Sequence, residues 1–194
     1  MAVTAQTTPP ALLTYEAYMA EPETMSRYEI LDGVRVAMTS PTARHQWIQF
    51  HVMQILAEFE TRSHRGRMIH APRDILIRRD PLRTHQPDVL FISHQRLAQC
   101  PPPTDPAPLP VGPELVVEIL SPTETQRTIA AKLDDYRSVE VQEVWIVDPE
   151  VRTVEVIRLT TTGPQMIDRV GEHGQVVSAV FPGLVARVSD LFRD

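Results

Sequence analysis

Apolar and polar positions recur along the chain with two periods, one typical of helices and one typical of strands. Apolar residues spaced at three and four positions, from Trp47 to Phe59, predict a long helix with one buried face. The same spacing predicts a second helix over residues 128–138 and a short one over residues 14–19, where Thr14 is suited to cap the amino end. These three segments are the helices predicted within residues 1–138.

Runs of β-branched and aromatic residues predict the strands. The dipeptide Asp32–Gly33 separates two such runs, 28–31 and 34–38, and predicts a hairpin whose type I′ turn needs a positive φ at both turn positions. Further strands are predicted over residues 68–77, 89–92, 115–120, 144–147 and 154–159. Because helices and strands are interleaved, the pattern predicts a mixed α/β fold with the sheet in the middle.

Length and composition limit the classes of protein to consider. The chain has 194 residues, which predicts one domain over residues 1–194, with 1–12 as a flexible amino-terminal segment. No apolar run approaches the roughly 20 residues of a membrane span, and the polar amino terminus lacks the features of a signal peptide. We therefore expect a cytoplasmic protein with no membrane partner. The single cysteine, Cys100, excludes an internal disulfide and a cysteine-rich zinc site.

The charge balance excludes a chain that is basic throughout. The net charge of −6 means that contact with nucleic acid would need a local basic surface or added cations. Eight of the 19 basic residues fall between Arg62 and Arg96. They could contact phosphates beside a site, or they could form a solvated hairpin surface, and the sequence leaves both interpretations open.

A proline-rich segment interrupts the pattern of helices and strands. Residues 100–113, CPPPTDPAPLPVGP, hold seven of the 18 prolines and can form neither a helix nor a central strand. We expect an extended surface connection between two core strands.

Two acids occupy positions where strands disfavour them. Asp88 begins an apolar run directly after Pro87, and Glu118 lies inside the run LVVEIL. A carboxylate in such a run is partly desolvated and costs several kcal/mol unless cations or donors offset the cost. Each acid alone has a structural explanation, a turn residue or a solvent-facing strand position. Together, on adjacent strands, they could converge on a hard divalent ion such as Mg²⁺.

Several short motifs follow one another in an order that resembles a known family. They are Tyr28–Glu29, Asp32–Gly33, Ser40–Pro41, His45–Gln46, Pro87–Asp88, residues 118–122 (EILSP), Lys132, Tyr136 and residues 143–149 (EVWIVDP). From about Thr14 onward the chain is similar to the Uma2 family of restriction-endonuclease-like proteins, a branch of the PD-(D/E)XK nuclease superfamily. The resemblance implies an α/β fold in which helices flank a central mixed sheet.

The resemblance also implies a metal-dependent nuclease site. Asp88 matches the family's metal-binding aspartate and Glu118 its glutamate, and the Ile119 carbonyl is the expected further ligand of Mg²⁺, for which Mn²⁺ can substitute. The superfamily pattern places a lysine two residues after the glutamate, where this chain has Leu120. Lys132 on the next helix matches instead, and would orient the attacking water and stabilise transition-state charge.

Two further residues are candidates for the same site. Glu29 matches an early acid of the superfamily that binds a second metal or supports the first; a solvent-facing hairpin acid is the alternative. His45, at the start of the long helix, could contact a phosphate. The histidines of residues 45–94 have no consistent metal-ligand spacing, so we do not expect a zinc site.

The position of Lys132, the one lysine of the chain, depends on where its helix begins. Residues 121–124 (SPTE) read as a capping box, and a helix starting there would carry the lysine about three turns, on the order of 15 Å, from the strand. A start near Arg127 places Lys132 in the second turn and facing inward, and we prefer it. The ammonium could then pair with Glu118 and lower the pKa of that acid.

Two further departures from the family pattern stand near this helix. The lysine is preceded by Arg127–Thr128 where the family has an acid, and Glu140 replaces a glycine before the next strand. The turn at Glu140 is therefore expected to form without a left-handed residue.

The sequence favours a Mg²⁺-dependent endonuclease that hydrolyses DNA phosphodiester bonds, and the resemblance suggests a homodimer. The main alternative is a nucleic-acid-binding or dimerising module with a degenerate nuclease site, which the altered lysine position and the acidic net charge support. A third interpretation is a hydrolase of a small phosphodiester or nucleotide, which a narrow, closed cleft would favour.

Overall fold

The computed structural model describes residues 12–22, 27–122 and 124–193, so the predicted flexible segment lies outside the described residues except for Leu12. The strands are β1 (Tyr28–Leu31), β2 (Val34–Ala37), β3 (Gly66–His70), β4 (Ile75–Arg79), β5 (Leu82–His85), β6 (Val89–Ser93), β7 (Leu115–Ile119), β8 (Glu143–Asp148), β9 (Thr153–Thr160), β10 (Gly163–Gly171), β11 (Gln175–Val177) and β12 (Val185–Arg187). The helices are α1 (Tyr15–Ala20), α2 (Ala43–Ser63), α3 (His94–Leu97), α4 (Gln126–Ser138) and α5 (Val188–Leu191).

A six-stranded mixed sheet forms the centre of the fold, in the order β10-β9-β8-β7-β6-β3. Strands β7 and β8 are parallel and α4 connects them, as a parallel pair requires a crossover; the other neighbours are antiparallel. Apolar side chains on one face of the sheet pack against α2, and those on the other face pack against α4. Strands β6 and β7 are covered on both faces, which explains their nearly continuous apolar sequences.

A second sheet stands beside the first, in the order β2-β1-β5-β4. Its β1–β2 hairpin confirms the predicted turn, because Asp32 and Gly33 have φ values of 53° and 79°. The predicted strand over residues 68–77 is wrong as a single element, since it divides into β3 of the central sheet and β4 of the second sheet. Pro72 lies between the two and has no amide hydrogen for a ladder. Strand β5 was not predicted, because its sequence, LRTH, is mostly polar.

The long helix α2 buries most of the predicted apolar face. Ile48, Val52, Leu56 and Phe59 are buried, but Trp47 is 55 % exposed. The stripe is therefore narrower than its apolar residues suggest, because Trp47 falls on the side of the helix that faces away from the sheet. Among the described residues, no helix is both long and apolar enough to cross a membrane.

Two connections differ from expectation. Part of the proline-rich segment is buried, because Leu109 exchanges backbone hydrogen bonds with Asp74 and Leu76 beside β4. The turn after α4 does contain a left-handed residue, since Glu140 itself adopts a φ of 63° where glycine was expected.

Helix α4 begins at Gln126, with Thr125 and Thr128 forming a reciprocal capping box, so the later of the two predicted starts is confirmed.

Candidate active site

The two acids singled out by sequence lie side by side at one end of the central sheet. Val89 of β6 pairs with Val117 of β7, so Asp88 stands directly before this pair and Glu118 directly after it. The two residues are only 4 % and 5 % exposed. Both line one cavity of about 690 Å³, which is bounded by the β1–β2 hairpin, the amino end of α2, and α4.

Donors surround the carboxylate of Asp88. Its Oδ2 accepts a hydrogen bond of 2.9 Å from the Ile119 amide and lies 3.3 Å from Nε2 of His45, while Arg27 donates to Oδ1 at 3.2 Å. Burial raises the pKa of Asp88, but His45, the Ile119 amide and Arg27 outweigh it and hold the pKa below the usual value. Asp88 is therefore ionised at neutral pH.

Arg27 is itself held in place by a chain of polar side chains. Its Nε donates to Oε1 of Gln86 at 3.1 Å, and Nε2 of Gln86 donates to Oδ1 of Asp74 at 3.0 Å. The hydroxyl of Tyr18 donates to the other oxygen of Asp74 at 2.6 Å. This series of hydrogen bonds links α1 and the second sheet to Asp88. Sequence analysis identified none of its side chains as part of the site.

Lys132 lies among three carboxylates. Its Nζ is 3.4 Å from Glu118, 3.5 Å from Glu29 and 3.6 Å from Glu124. Burial lowers the pKa of Lys132, but the charges of Glu118, Glu29 and Glu124 outweigh burial and raise it. The side chain is therefore an ammonium at neutral pH. Because α4 begins at Gln126, Lys132 lies in its second turn and reaches these carboxylates, as expected.

The pKa of Glu118 is higher than that of an ordinary glutamate. Burial raises its pKa to about 7, and the charges of Asp88 and Glu29 add to that shift. Lys132 lowers the pKa, as expected, and so does the hydroxyl of Tyr136, which donates to Oε1, but they offset only part of the effect of burial. The effect expected of Lys132 is therefore present, but the pKa rises on balance because desolvation exceeds the ion-pair attraction.

Glu29 faces the site and not solvent. It contacts Lys132 and also His85, whose Nδ1 lies 3.0 Å from Oε1 of Glu29. Burial opposes ionisation of Glu29, but His85 and Lys132 hold its pKa at about 2. On the other side of the ring, Nε2 of His85 lies 2.8 Å from Oδ2 of Asp135 on α4. Sequence analysis missed His85 and Asp135; the one available signal was the polar sequence THQ directly before Pro87–Asp88.

The basic residues between Arg62 and Arg96 divide between the two interpretations. Arg83 lines the cavity and donates to Asp135 at 2.7 Å. Arg67, in contrast, pairs with Glu60 of α2, and Arg78 pairs with Asp32 of the hairpin turn. The sequence cluster therefore does not form one basic surface in the fold.

The donor atoms at this site suit Mg²⁺, which keeps several waters, better than a metal that takes all of its ligands from the protein. In the described ranges, no group of three or more His, Cys, Asp or Glu side chains is arranged to hold a metal. Mg²⁺ needs only one or two carboxylates, because it keeps several waters. Asp88 and Glu118 supply two hard oxygen donors whose charges repel each other, and a divalent ion would relieve that repulsion. A metal at Asp88 would share the carboxylate with His45 and Arg27 or displace one of them.

Comparison with known proteins identifies the family. The model of the Uma2 family, described as "Putative restriction endonuclease", matches residues 14–189. The chain belongs to the Uma2 family. No curated protein matches it. A crystal structure described as "a putative nuclease belonging to DUF820 from Anabaena variabilis ATCC 29413" matches with a TM-score of 0.72 and 20% identity, covering 93% of this chain and 97% of that one.

Membership of the Uma2 family supports nuclease function for this protein and implies a nucleic-acid substrate. The structural match shows that the fold is restriction-endonuclease-like, with a central mixed sheet flanked by helices, as the resemblance implied. At 20% identity the match concerns the fold alone. Restriction-endonuclease-like proteins generally use divalent metals, which agrees with the oxygen donors at Asp88 and Glu118.

Proposed function

We propose that this Uma2 protein is an endonuclease that hydrolyses DNA phosphodiester bonds with Mg²⁺, for which Mn²⁺ can substitute. The ion would be held by the carboxylates of Asp88 and Glu118 and the carbonyl of Ile119. The observation that carries the proposal is the meeting of two buried acids from adjacent strands and the one lysine of the chain at a single cavity. Such a grouping of desolvated charges costs stability and is typical of a functional site.

The chemistry needs an acidified water and positive charge beside the phosphate. A bound ion would supply both in part, by lowering the pKa of water and by neutralising phosphate oxygens. Lys132 would orient the attacking water and stabilise the charge that develops on the phosphate. Its distance of 3.4 Å from Glu118 supports the view that a lysine from α4 replaces the lysine absent at Leu120.

Three neighbouring residues would assist. Glu29 holds the Lys132 ammonium at 3.5 Å and is also the candidate ligand for a second ion. His45, whose pKa is lowered by burial but raised on balance by Asp88 and the Ile119 carbonyl, can carry a proton toward a phosphate oxygen. Arg27 counters the charge of Asp88 until metal and substrate bind. We further propose that the chain acts as one domain and as a homodimer.

One observation favours the alternative of a binding module without catalysis. The Asp88 oxygens already have partners in His45, Arg27 and the Ile119 amide, so the protein has internal substitutes for a metal. If those contacts never yield, the fold would bind nucleic acid and leave it intact.

A plasmid assay separates the two functions. Supercoiled DNA is incubated with Mg²⁺ or Mn²⁺ and wild-type protein, or with Asp88→Ala, Glu118→Ala or Lys132→Ala. Asp134→Asn is the matched control, because Asp134 lies on α4 outside the cavity lining and pairs with the exposed Arg137. We expect metal-dependent nicking by the wild type and the control, and none by the three site variants. Nucleic-acid binding by the wild type, without cleavage of either the plasmid or single-stranded DNA, would establish the module instead.

A retained rate in Lys132→Ala alone would keep the metal ligands and remove the role given to the lysine. Light scattering of the same samples tests the homodimer, for which we expect twice the mass of the 21.9 kDa chain.

A further inference from the structure

The cavity above the candidate active site has one polar and one apolar side. Asp88, Glu118 and Lys132 form its polar floor. Glu29 and Val36 are directly opposite in the β1–β2 pair, so they share one face of the hairpin, and Leu31 shares it as well. Apolar and non-ionisable side chains continue that face around the cavity: Leu31, Val36, Met38, Pro41, Leu120 and Pro122.

The size of the cavity suits one small unit of a substrate. Its volume of about 690 Å³ lies within the range of ~300–1,000 Å³ that is usual for pockets holding a single small ligand. The carboxylates on its floor are almost fully buried, so a scissile phosphate has to enter the cavity to meet them. In a continuous duplex each phosphate is flanked by others on a rigid helix, and the bases are stacked inside.

The cations around the cavity are already matched by acids. Arg27 pairs with Asp88, Arg44 with Glu150, and Lys132 with Glu118. Arg83 in turn pairs with Asp135. Proteins that track a duplex neutralise many phosphates at once, because duplex DNA carries one charge per roughly 1.7 Å of its axis. Paired cations beside an apolar wall provide poor contacts for that backbone.

An unpaired nucleotide fits the same features. Its base has a free apolar face, which can contact the wall formed by Leu31, Val36 and Met38, while its phosphate reaches the floor. Enzymes that act on one nucleotide within a pocket use single strands or extrude the nucleotide from the helix, since a stacked and paired nucleotide cannot enter.

We propose that this cavity accepts an unpaired nucleotide, so that the protein cleaves single-stranded nucleic acid, including flaps and bulges, in preference to continuous duplex. The proposal rests on the proposed nuclease function and specifies its substrate class. The pocket chemistry is shared by single-stranded DNA and single-stranded RNA, and separate arms of the experiment distinguish them.

The test uses oligonucleotides of one sequence in four forms: single-stranded DNA, single-stranded RNA, continuous duplex DNA, and duplex DNA with an unpaired flap. Cleavage is measured with Mn²⁺ and wild-type protein. We expect at least tenfold faster cleavage of one or both single strands and of the flap, with cuts in the unpaired nucleotides. Continuous duplex cut at an equal or higher rate would overturn the proposal.

Binding measurements keep this proposal separate from the nuclease function. Fluorescence anisotropy with the same four labelled oligonucleotides and Asp88→Asn protein needs no cleavage. Suppose that the wild type cleaves none of the four substrates, yet single strands bind at least tenfold more tightly than duplex. The nuclease function then fails and the preference stands. Equal binding of all forms, or no binding of any, overturns the preference.

A pair of surface variants tests the apolar wall. Val36 lines the cavity and is 42 % exposed, whereas Val177 of β11 is 59 % exposed and does not line it. Val36→Asp and Val177→Asp therefore add the same charge at exposed strand positions, with small effects on folding. We expect Val36→Asp to weaken single-strand binding at least fivefold and Val177→Asp less than twofold. Equal effects of the two substitutions would argue against contact with the wall.

Discussion

Two groups of acids in the fold have different surroundings. Glu143, at the start of β8, is fully buried, and its two oxygens accept hydrogen bonds from Nε1 of Trp145 at 2.8 Å and from the amide of Ala179 at 2.7 Å. Glu114, just before β7, accepts from the amide of Ser93 and pairs with Arg96. These acids tie the sheet to neighbouring segments through fixed donors.

The acids of the candidate active site share their partners and repel one another. Glu118 and Glu29 both contact the same ammonium of Lys132, and the charges of Glu29 and Asp88 raise the pKa of Glu118. They also line a cavity, which Glu143 does not. Burial alone therefore does not distinguish a structural acid from an acid of the candidate active site. The kind of donor and access to a cavity distinguish them.

The largest expected effect separates the two groups by activity. Glu118→Gln should reduce DNA cleavage by about 10³-fold or more, because a lost metal ligand removes several kcal/mol of transition-state stabilisation. Glu143→Gln should cleave at close to the wild-type rate. It should lose about 1–3 kcal/mol of stability, since the new side-chain NH₂ group would face an N–H donor, that of Ala179 or of Trp145. Cleavage rates and urea denaturation of both variants check this. Equal loss of activity in both would remove the distinction.

The next effect concerns the cation shared by the acids. Lys132→Met should lower the free energy of unfolding by about 3 kcal/mol, because it leaves buried Glu118 and Glu29 without their counter-charge. Arg137→Met on the same helix breaks only an exposed pair with Asp134 and should cost less than about 1 kcal/mol. Denaturant titration at pH 7 gives both values. A Lys132→Met protein as stable as Arg137→Met would show that the ammonium is not the counter-charge of the group.

Stability should also depend on pH through Glu118. Its folded pKa of about 7 lies above the ordinary value of 4.5, so the folded state binds its proton more tightly than the unfolded state does. Metal-free protein should therefore lose stability as the pH rises from 5 to 8, by up to about 3 kcal/mol from this group. The raised pKa values of His45 and His85 act in the same direction.

Glu118→Gln isolates the share of that residue. The variant should be more stable than the wild type at pH 8 in the presence of EDTA, and its loss of stability between pH 5 and pH 8 should be smaller. Urea titrations at the two pH values measure both quantities. An unchanged pH dependence in the variant would mean that Glu118 ionises normally in the folded protein.

The smallest effect is stabilisation by metal. Saturating Mn²⁺, at about 100 times its dissociation constant, should add about 2.7 kcal/mol of stability and raise the Tm by several degrees. The increase should be larger at pH 8 than at pH 6, because Glu118, as the proposed ligand, must lose its proton. Asp88→Asn should abolish it, whereas Glu143→Gln should retain it. Thermal denaturation with and without EDTA would test this, and equal shifts in both variants would place the ion elsewhere.

Features that depend on near neighbours in the chain were predictable from the sequence alone. The Asp32–Gly33 turn, the cap of α1 at Thr14 and the strands around Asp88 and Glu118 follow from local conformational preference and from apolar periodicity. The placement of both acids on adjacent strands followed from the same patterns, and the ordered motifs pointed to the Uma2 family. Local rules sufficed here because each feature involves few residues.

Contacts between residues that are distant in the chain became known from the three-dimensional fold. The division of residues 68–77 between two sheets, the contact of Glu29 with Lys132 and the pairing of His85 with Asp135 join segments that are far apart in the chain. The net rise in the pKa of Glu118 likewise depends on desolvation by the packed fold, which no spacing reveals. Electrostatic energies depend on distance and burial in three dimensions, and those quantities are set by packing.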